Sequence, residues 1–236
     1  MTLDEYYRAF THNLLRVSSS KNIRQVFADY CRLEALEIQA LIGVLTEYDA
    51  SEHASIVSRY SPKQQGELKA MSELLMSAAA EHPYSDLLGW VFMNNAADKK
   101  HPDQYFSHPN IGTFISAALV LEYEIKKQGF LRIAETSCGS GTMFLTQAAV
   151  VKRVLHMEPS SVLLLDATDI DRICADMCYI QLSLNKLTGI VRCDNALYHK
   201  NNAVMITPAF QGHLQRAKKS SPELLQFLMG LLTLQT

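Results

Sequence analysis

No stretch of this sequence is apolar for the roughly 18 to 20 residues that a membrane-spanning helix requires. The polar start MTLDEYYRAF also lacks the basic and then apolar order of a signal peptide. We therefore expect a cytoplasmic protein with no membrane association.

An excess of either charge is also lacking. Lysine and arginine number 22 against 24 aspartates and glutamates, which gives a formal net charge of -2. Without a basic field over the whole chain, DNA binding would need a local basic patch or a partner chain.

Cysteine is sparse, with five residues scattered along a chain that is not expected to be exported. An odd, scattered set in that setting does not predict a disulfide framework. The eight histidines show no spacing typical of metal ligands, and we predict no metal site.

The first hundred residues have the periodicity of helices. Apolar residues recur at helical spacing from Asn22 to about Tyr48 and predict one long helix. A second helix is predicted to begin with Ser61 as the N-cap and Pro62 at the first helical position, and a third within residues 83–97. The segment DKKHPDQYFSHPN breaks the pattern, so we place a domain boundary near residue 100.

The rest of the chain alternates between short apolar runs and helical stretches. The runs FLRIAETS, SVLLLDATDI, GIVRCDNAL and NAVMITPAF predict strands, and helices are predicted between the first three. This order is typical of a parallel sheet with crossover helices. A final helix is predicted after Ser220 to Pro222, and its leucines suit either a sheet edge or a second chain.

Gly139 and Gly141 follow the first predicted strand in the segment AETSCGSGTMFL. A missing Cβ lets the backbone turn tightly and lets a ligand approach its amides. Ligands in such sheets bind beyond the carboxyl ends of the strands. The two glycines therefore indicate either a binding loop or an ordinary tight turn.

Asp169 ends the second predicted strand. An acid about 20 to 30 residues after a glycine loop is placed to accept the ribose hydroxyls of a nucleoside. The alternative role is the N-cap of the next helix, which Asp171 can take instead. Together with the glycines, Asp169 favours a nucleoside site.

Four segments, in order, resemble motifs of the adenine-N6 DNA methyltransferases: QYFSHP (104–109), ETSCGSG (135–141), DID (169–171) and CDNAL (193–197). The likeness is strongest to the modification subunits of type I restriction systems. It implies an all-helical N-terminal domain over residues 1–100. A Rossmann-like methyltransferase sheet over residues 101–236 is then expected, incomplete and with about four or five parallel strands.

The resemblance implies S-adenosyl-L-methionine as the cofactor. It assigns Tyr105 and Phe106 to the methionine side of the pocket, although burial at the domain junction is the alternative for both. Glu135 stands where the family has aspartate and is expected to meet the amino-acid moiety.

The nucleoside end of the cofactor is assigned in the same way. Asp169 is expected to hold the ribose, Ile170 to pack on the adenine face, and Asp194 to accept from the adenine amino group. The loop beneath the cofactor is expected to be formed by Cys138, Gly139 and Gly141.

The catalytic motif of the family, Asn/Asp-Pro-Pro-Tyr/Phe, follows the fourth strand. When the two are aligned by strand position, the corresponding residues of this chain are Thr207, Pro208, Ala209 and Phe210. Phe210 is able to stack on a base, but a threonine hydroxyl does not present the acceptor geometry of a carboxamide. The resemblance also implies that further strands and a target-recognition domain are missing after Phe210.

Two functions remain open on these residues. The first is an adenine-N6 DNA methyltransferase that takes part in restriction-modification. The second is an inactive relative that binds the cofactor or a partner and regulates or antagonises a modification system. We expect a homodimer or a subunit of a complex, with DNA contacted through a partner chain if at all.

Overall fold

The computed structural model describes residues 1–96, 121–195 and 204–233. The chain divides into two compact units, residues 1–106 and 107–236. Within the described ranges, no helix is both long and apolar enough to cross a membrane. Tyr105 and Phe106 lie outside the described residues, and their assignment stays a prediction.

The first unit is helical. Its elements are α1 (Leu3–Val17), α2 (Ile23–Leu41), α3 (Glu47–Val57), α4 (Pro62–Glu81), α5 (Leu87–Val91) and a π-helical turn (Phe92–Ala96). Helices α1 and α4 pack together and bury Phe10, Leu14, Met71 and Leu75. The predicted all-helical character of this region is therefore correct.

Local side-chain caps define where these helices begin. Thr2, Thr46 and Ser61 each accept a backbone N–H and form capping boxes with Glu5, Asp49 and Gln64. The predicted start of α4 at Ser61 and Pro62 is confirmed.

The single long helix predicted from Asn22 to about Tyr48 is wrong. Helix α2 ends at Leu41, and Gly43 then takes a φ of 72° and turns the chain before α3. Glycine adopts this left-handed conformation readily, whereas other residues are strained in it. Because the apolar periodicity of the sequence continues across this turn, the pattern alone did not indicate that the helix ends there.

Within residues 121–195 and 204–233, the second unit forms a four-stranded sheet in the order β1-β2-β3-β4. Its strands are β1 (Leu131–Glu135), β2 (Leu163–Asp169), β3 (Gly189–Cys193) and β4 (Val204–Ile206). Helical residues 121–128 precede β1. The helices are α6 (Thr142–Arg153), α7 (Pro159–Val162), α8 (Arg172–Leu184), α9 (Pro208–Ser220) and α10 (Pro222–Thr233).

Strands β1, β2 and β3 are parallel, as predicted, but β4 runs antiparallel to β3, with Val204 beside Arg192 and Ile206 beside Ile190. The prediction of a fourth parallel strand is corrected here. The connection over residues 194–203 is shorter than the dozen or more residues that a crossover to a parallel strand needs. The chain returns alongside β3 in the opposite direction.

Helices cover both faces of the sheet. Leu165 lies on the face that α8 covers, because a Cβ added to the neighbouring Gly189 would lie 3.3 Å from Leu165 and 3.4 Å from Leu182 of α8. Leu164, one residue earlier, points to the other face. There it joins a core with residues of β3, α9 and α10: Ile190, Phe210, Leu214, Ala217, Leu228 and Leu231.

An ion network, buried except for the exposed Arg132, lies on the α10 side of the sheet. Asp166 of β2 accepts from Arg132 of β1 and from Arg192 of β3. Arg192, only 3% exposed, also donates to the carbonyl of Leu231 at 2.7 Å. Removing one member of a buried ion pair leaves the other charge buried without a partner, which is strongly destabilising. Because Arg192 also binds the Leu231 carbonyl, this network holds α10 against the sheet.

Candidate cofactor site

The loop between β1 and α6 is fixed by hydrogen bonds between backbone groups. The Cys138 amide donates to the carbonyl of Thr168 at the end of β2, at 2.9 Å, and the Gly141 amide donates to the carbonyl of Cys138 at 2.8 Å. Gly139 and Gly141 have φ values of 54° and 90°. Both glycines therefore hold a conformation that side chains disfavour.

Gly141 has a further packing reason for lacking a side chain. A Cβ there would lie 3.0 Å from Cys178 Sγ and 3.5 Å from Cys178 Cα, both in α8. The close neighbour of this glycine is therefore a helix of the same chain.

Asp169 joins the loop to the end of β2. Its Oδ2 accepts from the Gly139 amide at 2.8 Å, and its Oδ1 accepts from the Asp171 amide at 2.9 Å. The alternative N-cap role belongs to Asp171, which accepts from the Ile173 amide at 2.8 Å. Asp169 therefore contacts the glycine loop and does not cap α8, and its role toward a ligand stays a prediction.

Burial raises the pKa of three ionisable groups at this edge of the sheet. Desolvation raises the pKa of Asp169, and the amide hydrogen bonds from Asp171 and Gly139 oppose that rise. Desolvation also raises the pKa of the half-buried Glu135. A hydrogen bond with Cys178, together with burial, raises the pKa of the Cys138 thiol well above its ordinary value. Cys138 is therefore a neutral packing group here.

The end of β3 meets the end of β2 beside this loop. The Asp194 amide donates to the carbonyl of Asp169 at 3.0 Å. Asp194 is buried, and its Oδ1 accepts from the Asn195 amide at 2.7 Å. Ile170, by contrast, has 71% of its surface exposed. An apolar surface and two carboxylates thus lie at the carboxyl ends of the parallel strands.

The structure brings most of the predicted contact residues to this one edge. They are Glu135, Cys138, Gly139, Gly141, Asp169, Ile170 and Asp194. Their roles toward a cofactor stay predictions.

The predicted catalytic residues do not join them. Because β4 is antiparallel, its end lies at the opposite edge of the sheet, where the Thr207 amide donates to the carbonyl of Gly189 at the start of β3. Thr207 is fully buried and caps α9 by accepting from the Phe210 amide.

The side chains of this segment are occupied by the fold itself. Thr207 Oγ1 also accepts from the Gly189 amide at 3.0 Å and donates to the Leu187 carbonyl at 2.8 Å. Pro208 opens α9, and Phe210 is fully buried in the core beneath it. The assignment of Thr207, Pro208 and Phe210 to a site at the glycine loop is therefore corrected: they form a helix start.

Gln181 also anchors the loop, and its role was not predicted from the sequence. Gln181 of α8, only 2% exposed, donates from Nε2 to the carbonyl of Ser140 at 2.8 Å. A glutamine in the middle of an apolar helix is the signal that marks such a buried polar contact. Its partner, a loop carbonyl distant in sequence, is set by the tertiary fold.

Comparisons with known proteins give one weak likeness. A scan against protein-family models finds no match, and a search of curated proteins finds no similar sequence. A solved structure from Listeria monocytogenes, described as a candidate class I S-adenosylmethionine-dependent methyltransferase, is similar with a TM-score of 0.37 and 13% identity. The match covers 79% of this chain and 51% of that one, so this chain spans about half its length. These values are too low to support an inference about activity.

Proposed function

We propose that this protein binds S-adenosylmethionine at the carboxyl edge of β1, β2 and β3. The observation that carries the proposal is the hydrogen bond from the Gly139 amide to Asp169, at 2.8 Å. It joins the glycine-containing loop to the acid at the end of β2, which is the arrangement that binds nucleosides in open parallel sheets.

The residues present fit that group. A carboxylate has about four acceptor positions, and the amide hydrogen bonds from Gly139, Asp171 and Ile170 to Asp169 leave a further position for a ribose hydroxyl. Exposed Ile170 offers a flat apolar surface to a purine. An ammonium group near Glu135 would offset the burial that raises the pKa of this carboxyl. When bound, the cofactor would supply an activated methyl group.

The finer function within this proposal is methyl transfer to the amino nitrogen of adenine in DNA. The order of the segments QYFSHP, ETSCGSG, DID and CDNAL supports it. With a net charge of -2, we propose that DNA contacts come through a partner chain, in a homodimer or a larger complex.

A second function is favoured by the position of Thr207. Since the segment from Thr207 to Phe210 caps a helix at the far edge of the sheet, it is not placed to hold a target base over the glycine loop. We therefore also propose a non-catalytic role, in which the protein binds the cofactor or a partner and regulates a modification system.

Calorimetric titration with S-adenosylmethionine tests the binding proposal. The wild type is expected to bind, and Asp169→Asn is expected to bind at least about tenfold more weakly. Asparagine replaces one carboxylate oxygen with an NH₂ group, so a loop amide and the ribose each lose an acceptor. Glu158→Gln is the matched control, since this exposed carboxylate pairs with Lys152 away from the loop. Equal affinity in all three proteins would contradict the site.

A radiolabelled methyl-transfer assay on DNA then separates the two functions. Incorporation that Asp169→Asn abolishes would support the enzyme. Cofactor binding without incorporation, in the protein alone and with chains copurified from its host, would support the non-catalytic role.

A further inference from the structure

The first unit contains a cleft that the proposed function does not use. It lies among α2, the end of α3 and α4 and has a volume of about 410 Å³. This is within the ordinary range for small-molecule sites, roughly 300 to 1,000 Å³. Its lining includes Tyr30, Leu33, Glu34, Glu37, Val57 and Met76.

Tyr30 is one of the residues that line this cleft, and its hydroxyl is buried. Tyr30 is 1% exposed, and its hydroxyl makes no hydrogen bond to any described residue. The Ser72 hydroxyl lies close enough to oppose the rise in the pKa of Tyr30, but its hydrogen is donated to Glu34. A buried hydroxyl without a hydrogen-bond partner is unfavourable, so a group that enters the cleft and pairs with it is expected to bind more tightly.

The charge around the cleft is predominantly negative. Glu34 and Glu37 of α2 and Glu73 of α4 line it against one cation, Lys69 of α4. From α3, His53 lies 3.5 Å from Glu37. The acceptors thus outnumber the fixed positive charges.

We propose that this cleft binds a small organic cation: a protonated primary amine carried on a short apolar chain. An ammonium group has three donors and no acceptor. It therefore pairs with the Glu34 carboxylate and with the oxygen of Tyr30 at once. The apolar chain would lie along Leu33, Val57 and Met76.

A metal ion fits this cleft less well. Within the described ranges, no group of three acidic, histidine or cysteine side chains is arranged to hold one. The apolar part of the lining would also be unused by a hydrated ion. An amine with an alkyl chain uses both parts of the cleft.

The ionisation of Glu34 gives an independent readout. Burial raises the pKa of Glu34 to about 7, so part of the protein carries this carboxyl protonated at neutral pH. A bound ammonium favours the charged carboxylate and lowers the pKa again. Binding near pH 7 is therefore expected to release protons, and the affinity is expected to rise as the pH rises through about 7.

The experiment is calorimetric titration of the full chain with hexylammonium, 1-hexanol and hexanoate, in buffers of different ionisation enthalpy. We expect only hexylammonium to bind, with proton release. Glu34→Gln is expected to weaken binding about tenfold, since the charge-assisted hydrogen bond is lost. Tyr30→Phe is expected to weaken it about threefold without loss of thermal stability, because the orphaned hydroxyl stabilises nothing in the free protein.

Glu122→Gln is the control, because this carboxylate pairs with Lys126 in the other unit and is expected to leave binding unchanged. Equal binding of hexanol would overturn the proposal in favour of an apolar groove. Displacement of hexylammonium by Mg²⁺, or no heat at millimolar amine, would also overturn it. If Glu34→Gln does not fold, the ligand series and Tyr30→Phe decide the question.

Discussion

Polar residues at the two edges of the sheet in the second unit have different surroundings. At the carboxyl edge, Asp169 accepts two loop amides and lies beside Ile170, which is largely exposed. At the amino edge, Thr207 is fully buried, and its hydroxyl is used by Gly189, Leu187 and Phe210. At the first edge we propose that Asp169 also meets a ligand, whereas at the second edge the Thr207 hydroxyl is used within the fold.

The difference comes from the direction of one strand. If β4 ran parallel to β3, its end would lie beside Asp169 and Asp194. Because it is antiparallel, its end meets the start of β3 at Gly189. The direction of a strand therefore decides at which edge of the sheet the residues that follow it lie, and so whether they can join a site there.

The largest effect is expected at the loop itself. Gly141→Ala places a Cβ about 3.0 Å from Cys178 Sγ at a φ of 90°. Left-handed strain and overpacking together are expected to lower the free energy of unfolding by about 2 to 4 kcal/mol. Urea unfolding measures this loss.

Gly212→Ala in α9 is the matched control. Its added Cβ meets nothing nearer than Arg216 Nη1 at 3.7 Å. It is expected to be neutral or to stabilise by up to about 1 kcal/mol. An equal loss in both variants would show that the loop is not specially constrained.

Thr207→Val tests the internal role of the amino edge. The isosteric change leaves the Gly189 amide and the Leu187 carbonyl unpaired and removes the cap of α9. We expect a loss of about 2 to 3 kcal/mol in the free energy of unfolding.

Thr207→Ser retains the hydroxyl and is expected to lose less. Thr207→Asn, which restores the residue of the family motif, is expected to destabilise the core and to confer no methyl transfer. A gain of transfer in Thr207→Asn would contradict the separation of the two edges.

Asp169→Asn is expected to differ from the Thr207 variants in its pH dependence. The fold raises the pKa of Asp169, so the protonated form is favoured by folding. That contribution is complete below the ordinary pKa of aspartate and is lost as the pH rises through the raised value. The stability advantage of the wild type over Asp169→Asn should therefore be largest in acid and decrease within that window.

Unfolding midpoints measured from pH 3 to 8, about the range of carboxyl titration, check this difference. The effect of Thr207→Val should be constant over the same range, because a threonine hydroxyl does not titrate there. A flat difference for Asp169→Asn would indicate that burial does not shift this carboxyl.

The smallest effect is expected at Ile170. Since this side chain is 71% exposed, Ile170→Ala is expected to leave stability unchanged. Loss of its apolar contact with the adenine should weaken S-adenosylmethionine binding about three- to fivefold, by calorimetry. An unchanged affinity would place the purine elsewhere.

Much of the second unit was predictable, because burial imposes a periodicity that the sequence shows directly. All four predicted strands exist, and α6 and α8 lie between the first three. The position of Asp169 at the end of β2 was predictable because a strand followed by an acid is a local pattern, and its role toward a cofactor stays a prediction. The direction of β4 was misjudged, although the shortness of residues 194–203 already disfavoured a parallel crossover.

The sequence by itself determined the strands, the glycine turn and the helix caps, because each depends on residues that are neighbours along the chain. Only the tertiary structure decided that Gly141 faces Cys178, that Gln181 holds the Ser140 carbonyl, and that Thr207 lies far from Asp169. Such contacts join residues distant in the chain, and their geometry follows from how the strands are ordered and directed, which no local pattern encodes.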